Sequence, residues 1–277
     1  MNYKEVIIRV SNDATMREKL IAVLLEAGYD SFMEDDTSVS AYIETALFDE
    51  NTLGKIINIF KEDVEIKKIQ DLPEQNWNAV WESNYEPVVI DDQCVVRAPF
   101  HQKSENITFD IIIQPKMSFG TAHHETTYLM LQMMLEDDFN EKQVLDMGSG
   151  TGILAIFAAM KGAQNIVAID NDEWAFKNAV ENAQLNDIRN IEFILGDAAS
   201  VPDKKFDFIL ANINRNILLE DISKYNLHLM GHSIVYLSGF YENDLQMLKD
   251  EAGKYGWTLQ EYRIRNQWIA ARFLAGS

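Results

Sequence analysis

The sequence predicts an α/β protein in two parts, a Rossmann-like sheet with helices on both faces preceded by a small ferredoxin-like α+β domain. Three observations carry this. Residues 1–72 read as two similar strand–helix units. From about residue 144 short, nearly all-apolar runs alternate with helical stretches, the mark of a parallel sheet covered on both faces. A glycine-rich turn separates the first of those runs from its helix.

In the first part, Glu5–Val10 is a strand, and Ala14–Ala27, with Leu20, Val23, Leu24 and Ala27 in register, is a helix that Gly28 closes. A short strand near Phe32–Glu34 and a strand over Ser38–Phe48 follow. Asp49 or Asn51 caps a second helix carrying Leu53, Ile56, Ile57 and Phe60, and Val64–Ile69 alternates as a strand. The order βαββαβ gives the ferredoxin-like layout over residues 1–72. No catalytic constellation lies in it, so substrate recognition is its expected role.

Residues 73–90 form the connecting segment, where Trp77 and Trp81, one helical turn apart, suit packing better than ligand binding. Residues 91–277 make the second domain. Its expected strands are Val144–Met147, Ile166–Asp170, Ile191–Leu195, Phe206–Ala211 and Ser233–Leu237, with helices over Ile153–Lys161, Glu173–Gln184, Ile217–Leu229 and Asn243–Tyr255. Thr258–Arg265 and Gln267–Leu274, with only Asn266 between them, are an antiparallel hairpin at the sheet edge.

The 24 Lys and Arg against 44 Asp and Glu give a net charge of -20, divided as 8 against 15 in residues 1–72 and 16 against 29 in residues 73–277. Neither part offers the basic stripe that a phosphate backbone requires, so direct nucleic-acid binding is disfavoured and a basic partner is favoured. There is no apolar run long enough to span a membrane and no leader at Met1. With Cys94 alone there is no internal disulfide, and the cytoplasm is the expected compartment.

Chemistry concentrates in four places. Val144-Leu-Asp-Met-Gly-Ser-Gly-Thr-Gly152 runs from a strand through a turn into a helix, and Gly148, Gly150 and Gly152 let ligand atoms approach the backbone. A dinucleotide fingerprint would place its third glycine at position 153, where this chain has isoleucine, which disfavours a nicotinamide oxidoreductase. Asp170 ends the next strand 22 residues after Gly148, the distance at which a βαβ unit places an acid against ribose hydroxyls, while Asp172 suits a helix cap. Asp197 follows the third strand and suits either a ligand contact or a plain turn. Asn212 ends the fourth. His123 and His124 are adjacent and so point apart, with no cysteine nearby, and no metal is expected.

Ahead of these lies Ser118-Phe-Gly-Thr-Ala-His-His-Glu-Thr-Thr127, with Thr127 21 residues before Gly148. It resembles the Phe-Gly-Thr-Gly-x-His-x-Thr-Thr signature of the ribosomal protein L11 methyltransferases, and Asp146-x-Gly-x-Gly-x-Gly152 resembles the first motif of class I methyltransferases. Trp77-x-x-x-Trp81 with Tyr85-Glu-Pro87 is similar to that family's inter-domain segment. The resemblance implies S-adenosyl-L-methionine as cofactor, with Thr127, Gly148, Asp170 and Asn212 in contact with it. It adds Asp146 near the cofactor's amino-acid end, Asp197 at its adenine, and Phe119, Gly120, Gly150 and Gly152 around it. It implies Asn212 as the residue that accepts a hydrogen bond from the incoming amine, and lysine and α-amino groups of ribosomal protein L11 as acceptors, with the front domain gripping a basic protein substrate. An antiparallel last strand and a monomer complete the implied picture. Ala122 in place of glycine, His123 and Glu125 in place of Thr and Pro, Ser149 in place of Cys, and Asn214-Arg215 in place of Leu-Ala depart from the pattern. Most of these border the acceptor region, so another protein amine or a small-molecule acceptor, or a regulator without catalysis, stays open.

Overall fold

Alternation along the first strand fixes the first unit: Val6, Ile8 and Val10 are buried while Arg9 is exposed, so one face of the strand seeks a core. The structure is a computed structural model that describes residues 3–10, 14–35, 37–60, 63–72, 85–104, 106–116 and 118–275. Its elements divide between Tyr85 and Glu86 into two compact units. The Trp77–Trp81 pair lies outside the described residues.

The first unit runs β1 (Tyr3–Val10), α1 (Ala14–Glu26), β2 (Ser31–Glu34), β3 (Ser38–Glu44), α2 (Glu50–Phe60) and β4 (Val64–Leu72). The strands pair antiparallel in the order β2-β3-β1-β4, the expected ferredoxin-like arrangement. Leu20 and Leu24 of α1 and Leu53 and Ile56 of α2 cover the face made by Val6, Ile8, Val39 and Ala41. Gly28 ends α1 at φ +94°, letting the Tyr29 N–H reach back 3.1 Å to the Leu24 carbonyl. Of the two candidate caps for α2, Asp49 serves, accepting from the N–H groups of Asn51 and Thr52 at 3.1 Å each.

The second unit opens with a three-stranded sheet absent from the sequence reading: β5 (Val88–Ile90), β6 (Cys94–Arg97) and β7 (Phe109–Ile112). Its first strand falls within the segment read above as a connector. Then come α3 (Glu125–Met134), β8 (Gln143–Met147), α4 (Ile153–Met160), β9 (Asn165–Asp170), α5 (Glu173–Leu185), β10 (Ile191–Leu195), β11 (Phe206–Asn212), α6 (Arg215–Asn226), β12 (Leu229–Tyr241), α7 (Leu245–Gly253), β13 (Thr258–Arg265) and β14 (Trp268–Ala275). The seven-stranded sheet has the order β10-β9-β8-β11-β12-β14-β13, parallel through β12 and antiparallel at β14. The hairpin turns through two residues, Asn266 and Gln267, both at positive φ, rather than one.

Both faces are covered, as continuous apolar strands require. Val144, Ile166 and Leu210 pack under α3 and α4 with Met130 and Phe157, while Leu145, Ile169 and Ile209 pack under α6 and α7 with Ile222 and Leu248. The helix α6 starts two residues earlier than read because the Asn214 side chain accepts from the Ile217 N–H at 3.2 Å.

Three asparagines at helical spacing tie α5 to its surroundings. Asn182 donates to the Thr151 carbonyl at 2.9 Å and to Asn178 Oδ1 at 3.1 Å, and accepts from the Gln114 N–H at 2.9 Å. Asn186 brackets Ile112, accepting from its N–H at 2.8 Å and donating to its carbonyl at 2.7 Å. Asn182 is fully buried, so Asn182→Ala strands the Gln114 N–H and the Thr151 carbonyl. The variant should lose about 2–4 kcal/mol in urea unfolding with an unchanged m value.

Candidate functional site

Strand order reverses between β8 and β11, since the chain runs outward through β9 and β10 and then crosses to the other side. A crevice forms at the carboxyl ends of strands where such a reversal occurs. A cleft of about 890 Å³ opens there, lined among others by Phe119, Gly148, Gly150, Asp170, Asn212 and Ile213. The segment before α3 and the ends of β8, β9 and β11, each read separately from sequence, thus meet at one place.

The glycine loop is bound to its own protein at every N–H. Gly148 and Ser149 donate to the Ile169 carbonyl at 2.8 and 3.0 Å, and Gly150 donates to Asp170 Oδ2 at 2.7 Å. Thr151 donates to the Phe119 carbonyl at 2.9 Å and Gly152 to the Ser149 carbonyl at 2.7 Å. The Thr151 hydroxyl adds a bond to the Gly120 carbonyl at 2.5 Å. A phosphate-binding loop works by offering free N–H groups to an anion, and this loop has none between Gly148 and Gly152 to offer. A pyrophosphate-bearing dinucleotide is therefore a poor match.

The fold gives the glycines a reason of its own beside the approach of a ligand. A Cβ on Gly150, at φ +55°, would overlap the Phe119 carbonyl, and one on Gly148, at φ +67°, would overlap the Ile213 side chain. The loop needs glycine to fit against its own protein.

Carboxylates and amides surround the cleft. Asp170 is half-buried and also accepts from the Asp172 N–H at 3.0 Å, while Asp172 caps α5 through the Ala175 N–H at 2.8 Å. Asp146 is buried beneath the loop, with Oδ2 accepting from the Ala155 N–H at 3.1 Å and Oδ1 unpartnered. Burial pushes its carboxyl from 3.8 up to about 7, the Ala155 N–H opposing and the nearby Asp170 charge adding to the shift. Asn212 donates through Nδ2 to Thr127 Oγ1 at 3.2 Å, and its Oδ1 is buried without a partner. Thr127 is itself fully buried, behind Asn212. Asp197 stands apart from the cleft lining, exposed and accepting from the Ala199 N–H at 2.9 Å as the cap of a short 3₁₀ turn. Gly120 and Gly152 stand outside the cleft lining, Gly120 packed against Thr151 and Gly152 against Ala179 of α5.

His123 and His124 part as adjacent residues must. The ring of His123 meets the Glu86 carbonyl at 3.0 Å, and His124 caps α3 by accepting from the Thr126 N–H at 3.3 Å. The sequence reading passed over Asn178, buried in the cleft wall with Nδ2 unpartnered, and Trp174, 80% exposed at the mouth. Spacing was the available signal for Asn178, since it, Asn182 and Asn186 recur every fourth residue.

Two outcomes follow from this geometry. Gly150→Ala should unfold at lower temperature and lose cofactor affinity together, measured by thermal melts and calorimetry. The folded chain holds the Asp146 proton through a range where the unfolded chain has released it, so stability drains away as pH rises from about 4 to about 7. Between urea melts at pH 5 and pH 8, Asp146→Asn should gain on the wild type by about 2–3 kcal/mol.

The sequence model of the family described as "Ribosomal protein L11 methyltransferase (PrmA)" matches residues 5–274. A ribosomal protein L11 methyltransferase of Bacteroides thetaiotaomicron is 44% identical over 263 residues, 94% of each chain, and one of Porphyromonas gingivalis is 43% identical over 95% of this chain and 92% of its own. The solved structure of a ribosomal protein L11 methylase from Lactobacillus delbrueckii subsp. bulgaricus superposes with a TM-score of 0.63 at 26% identity, covering 70% of this chain and all of that one. With its loop closed to phosphate and its cleft at the strand reversal, the chain belongs to the ribosomal protein L11 methyltransferase family and is an S-adenosylmethionine-dependent methyltransferase.

Proposed function

We propose that this chain methylates lysine and α-amino groups of ribosomal protein L11, and that Asn212 aims the acceptor nitrogen. The observation that carries this reading is the unpartnered, buried Oδ1 of Asn212 at the end of β11, beside the strand reversal. A buried carbonyl oxygen without a donor costs about 1–3 kcal/mol. It is worth keeping where a substrate N–H supplies the missing bond.

The residues present fit the cofactor. S-adenosylmethionine carries a sulfonium and an ammonium and no phosphate, which suits a cleft lined by the carboxylates of Asp170, Asp172 and Glu181 and a loop whose N–H groups are all engaged. Asp170 would hold it at the ribose hydroxyls and Asp146 would face its amino-acid end, with Phe119, Gly148 and Gly150 forming the surrounding wall and Gly120 and Gly152 packed behind it. Thr127 backs that wall through Asn212, and Asp197, outside the cleft lining, would meet the adenine only from its neighbouring turn. When bound, the sulfonium supplies an electrophilic methyl group, so the protein contributes alignment more than acid–base chemistry.

The acceptor sets the harder problem. An ordinary lysine has a pKa of about 10.4 and an α-amine about 7.7–8.0, so presenting a neutral lysine at pH 7 costs roughly 4–5 kcal/mol. Apolar walls penalise the ammonium and reduce that cost. Ile213 and the half-exposed Phe119 supply such walls beside Asn212. Asn212 then accepts from the remaining N–H and directs the nitrogen lone pair.

Substrate recognition falls to the ferredoxin-like unit, acidic and without a catalytic constellation, which suits a basic protein partner. Among the described residues no helix is long and apolar enough to cross a membrane. We place the enzyme in the cytoplasm as a monomer that makes no direct contact with nucleic acid.

Radiolabelled methyl transfer to purified ribosomal protein L11, with mass mapping of the product, tests the reading. Label on lysine or α-amine sites is the expected result; cofactor binding without transfer to that protein would reject the substrate. Asn212→Ala should lose turnover by at least about 100-fold while keeping most S-adenosylhomocysteine affinity. Unchanged turnover would remove Asn212 from its role.

A further inference from the structure

We infer that Trp174 is a cofactor-binding residue of this chain, its indole forming the outer wall against which the nucleoside of S-adenosylmethionine packs. The inference rests on the placement of the ribose at Asp170 given above.

The sheet sets the direction in which the cofactor runs. Asp170 ends β9 and Asn212 ends β11, with β8 between them, so the two strand ends stand two strand spacings, roughly 10 Å, apart. With the reactive end at Asn212 and the ribose at Asp170, the base extends to the side of Asp170 remote from β11. The helix α5 starts there. Its cap, Asp172, accepts from the Ala175 N–H at 2.8 Å and donates its own N–H to Asp170 at 3.0 Å, so the first turn of α5 is fixed to the ribose carboxylate.

That end of the cleft needs a flat apolar surface, and it has one. A purine is planar and uncharged, and every base has a face that stacks on an aromatic ring. A carboxylate such as Asp197 reads only the amino edge of adenine and leaves the face unmet. Trp174, in the first turn of α5, lines the mouth and is 80% exposed, the highest figure for any large apolar side chain among the described residues. A single exposed aromatic is ordinary on a plain surface, but at the mouth of a cofactor cleft it is contact area held ready for a ligand. Phe119, the other aromatic residue of the lining, is tied through its carbonyl to the Thr151 N–H and so stands on the side of the glycine loop. The cations beside Trp174 are spent: Lys177 pairs with Glu173 at 2.6 Å, its Nζ 5.9 Å from the indole centroid, and Lys116 pairs with Glu181. Neither ammonium is left to repel a cationic cofactor.

The test compares Trp174→Ala, which removes the indole, with Trp174→Phe, which keeps an aromatic face. Because the side chain is exposed, both variants should melt within about 2 °C of the wild type. In calorimetry Trp174→Ala should weaken S-adenosylmethionine and S-adenosylhomocysteine alike, by about 5- to 150-fold, since both carry the same nucleoside. Trp174→Phe should keep most of the affinity. Saturation with S-adenosylhomocysteine should quench the indole emission of the wild type more than that of Trp174→Phe, the difference being the signal of Trp174 itself. At saturating cofactor, kcat for methyl transfer to ribosomal protein L11 and the KM for that protein should match the wild type in both variants.

Unchanged S-adenosylhomocysteine affinity in Trp174→Ala, or a raised KM for ribosomal protein L11 with that affinity intact, would overturn the inference, the latter making Trp174 a docking point for the acceptor protein. Asp170→Asn tests the parent placement separately and should lose S-adenosylhomocysteine affinity. Full affinity in that variant would bring down the ribose assignment and the inference with it, whereas loss in Asp170→Asn without loss in Trp174→Ala would bring down the inference alone.

Discussion

The site depends on one constraint, the stitching of the Gly148–Gly152 loop into its surroundings by its own backbone. Five consecutive N–H groups are spent on Ile169, Asp170, Phe119 and Ser149, so the loop cannot move without breaking several bonds at once. That rigidity sets the positions of the neighbouring groups. It holds the carboxylate of Asp170 at one edge of the cleft, and it presses the Phe119 carbonyl so close that only glycine fits at position 150. The same stitching separates this site from nucleotide sites of similar topology. A loop with spare N–H groups seeks an anion; one with none leaves recognition to side chains, and here those are carboxylates and amides suited to a cationic ligand.

Beneath the loop, α5 acts as a post. Asn182 fixes the Thr151 carbonyl on one side and the Gln114 N–H on the other, so that the cleft wall and the glycine loop share one support. Asp146 holds the first turn of α4 through the Ala155 N–H at the cost of burying a carboxylate. Such a group destabilises the empty protein at neutral pH and is retained at functional sites more readily than in ordinary cores. Stability and function are set against each other at that single residue.

Much of this was legible in the sequence, because period and punctuation are local. The apolar runs ending at Met147, Asp170, Leu195 and Asn212 each close a strand of the parallel sheet, and the glycines mark the turn. What could not be read is equally instructive. The strands Val88–Ile90, Cys94–Arg97 and Phe109–Ile112 are too short to display a period, and β6 is buried along its whole length, so no alternation betrays it. β12 extends well beyond the Ser233–Leu237 core that was read, taking in a Gly231-His232 stretch that lies in the irregularity between the Leu229 and Ile234 pairings with β11. The close fit at Gly148 and Gly150 is tertiary: Ile213 and Phe119 lie far away in the chain. So is the engagement of Thr127 with Asn212, 85 residues apart.

The arrangement of the last hairpin has a consequence for how the protein is made. β14 lies between β12 and β13, so β13 joins the sheet only through a strand that follows it in the chain. During synthesis β13 leaves the ribosome before the strand that will hold it. Until β14 arrives, the backbone edges of β12 and β13 wait unpaired, open to chaperones and to neighbouring chains. A lesion in Trp268–Ala275 would thus detach two strands from the sheet, and shortened chains ending before residue 268 should accumulate as aggregates rather than as a slightly smaller enzyme.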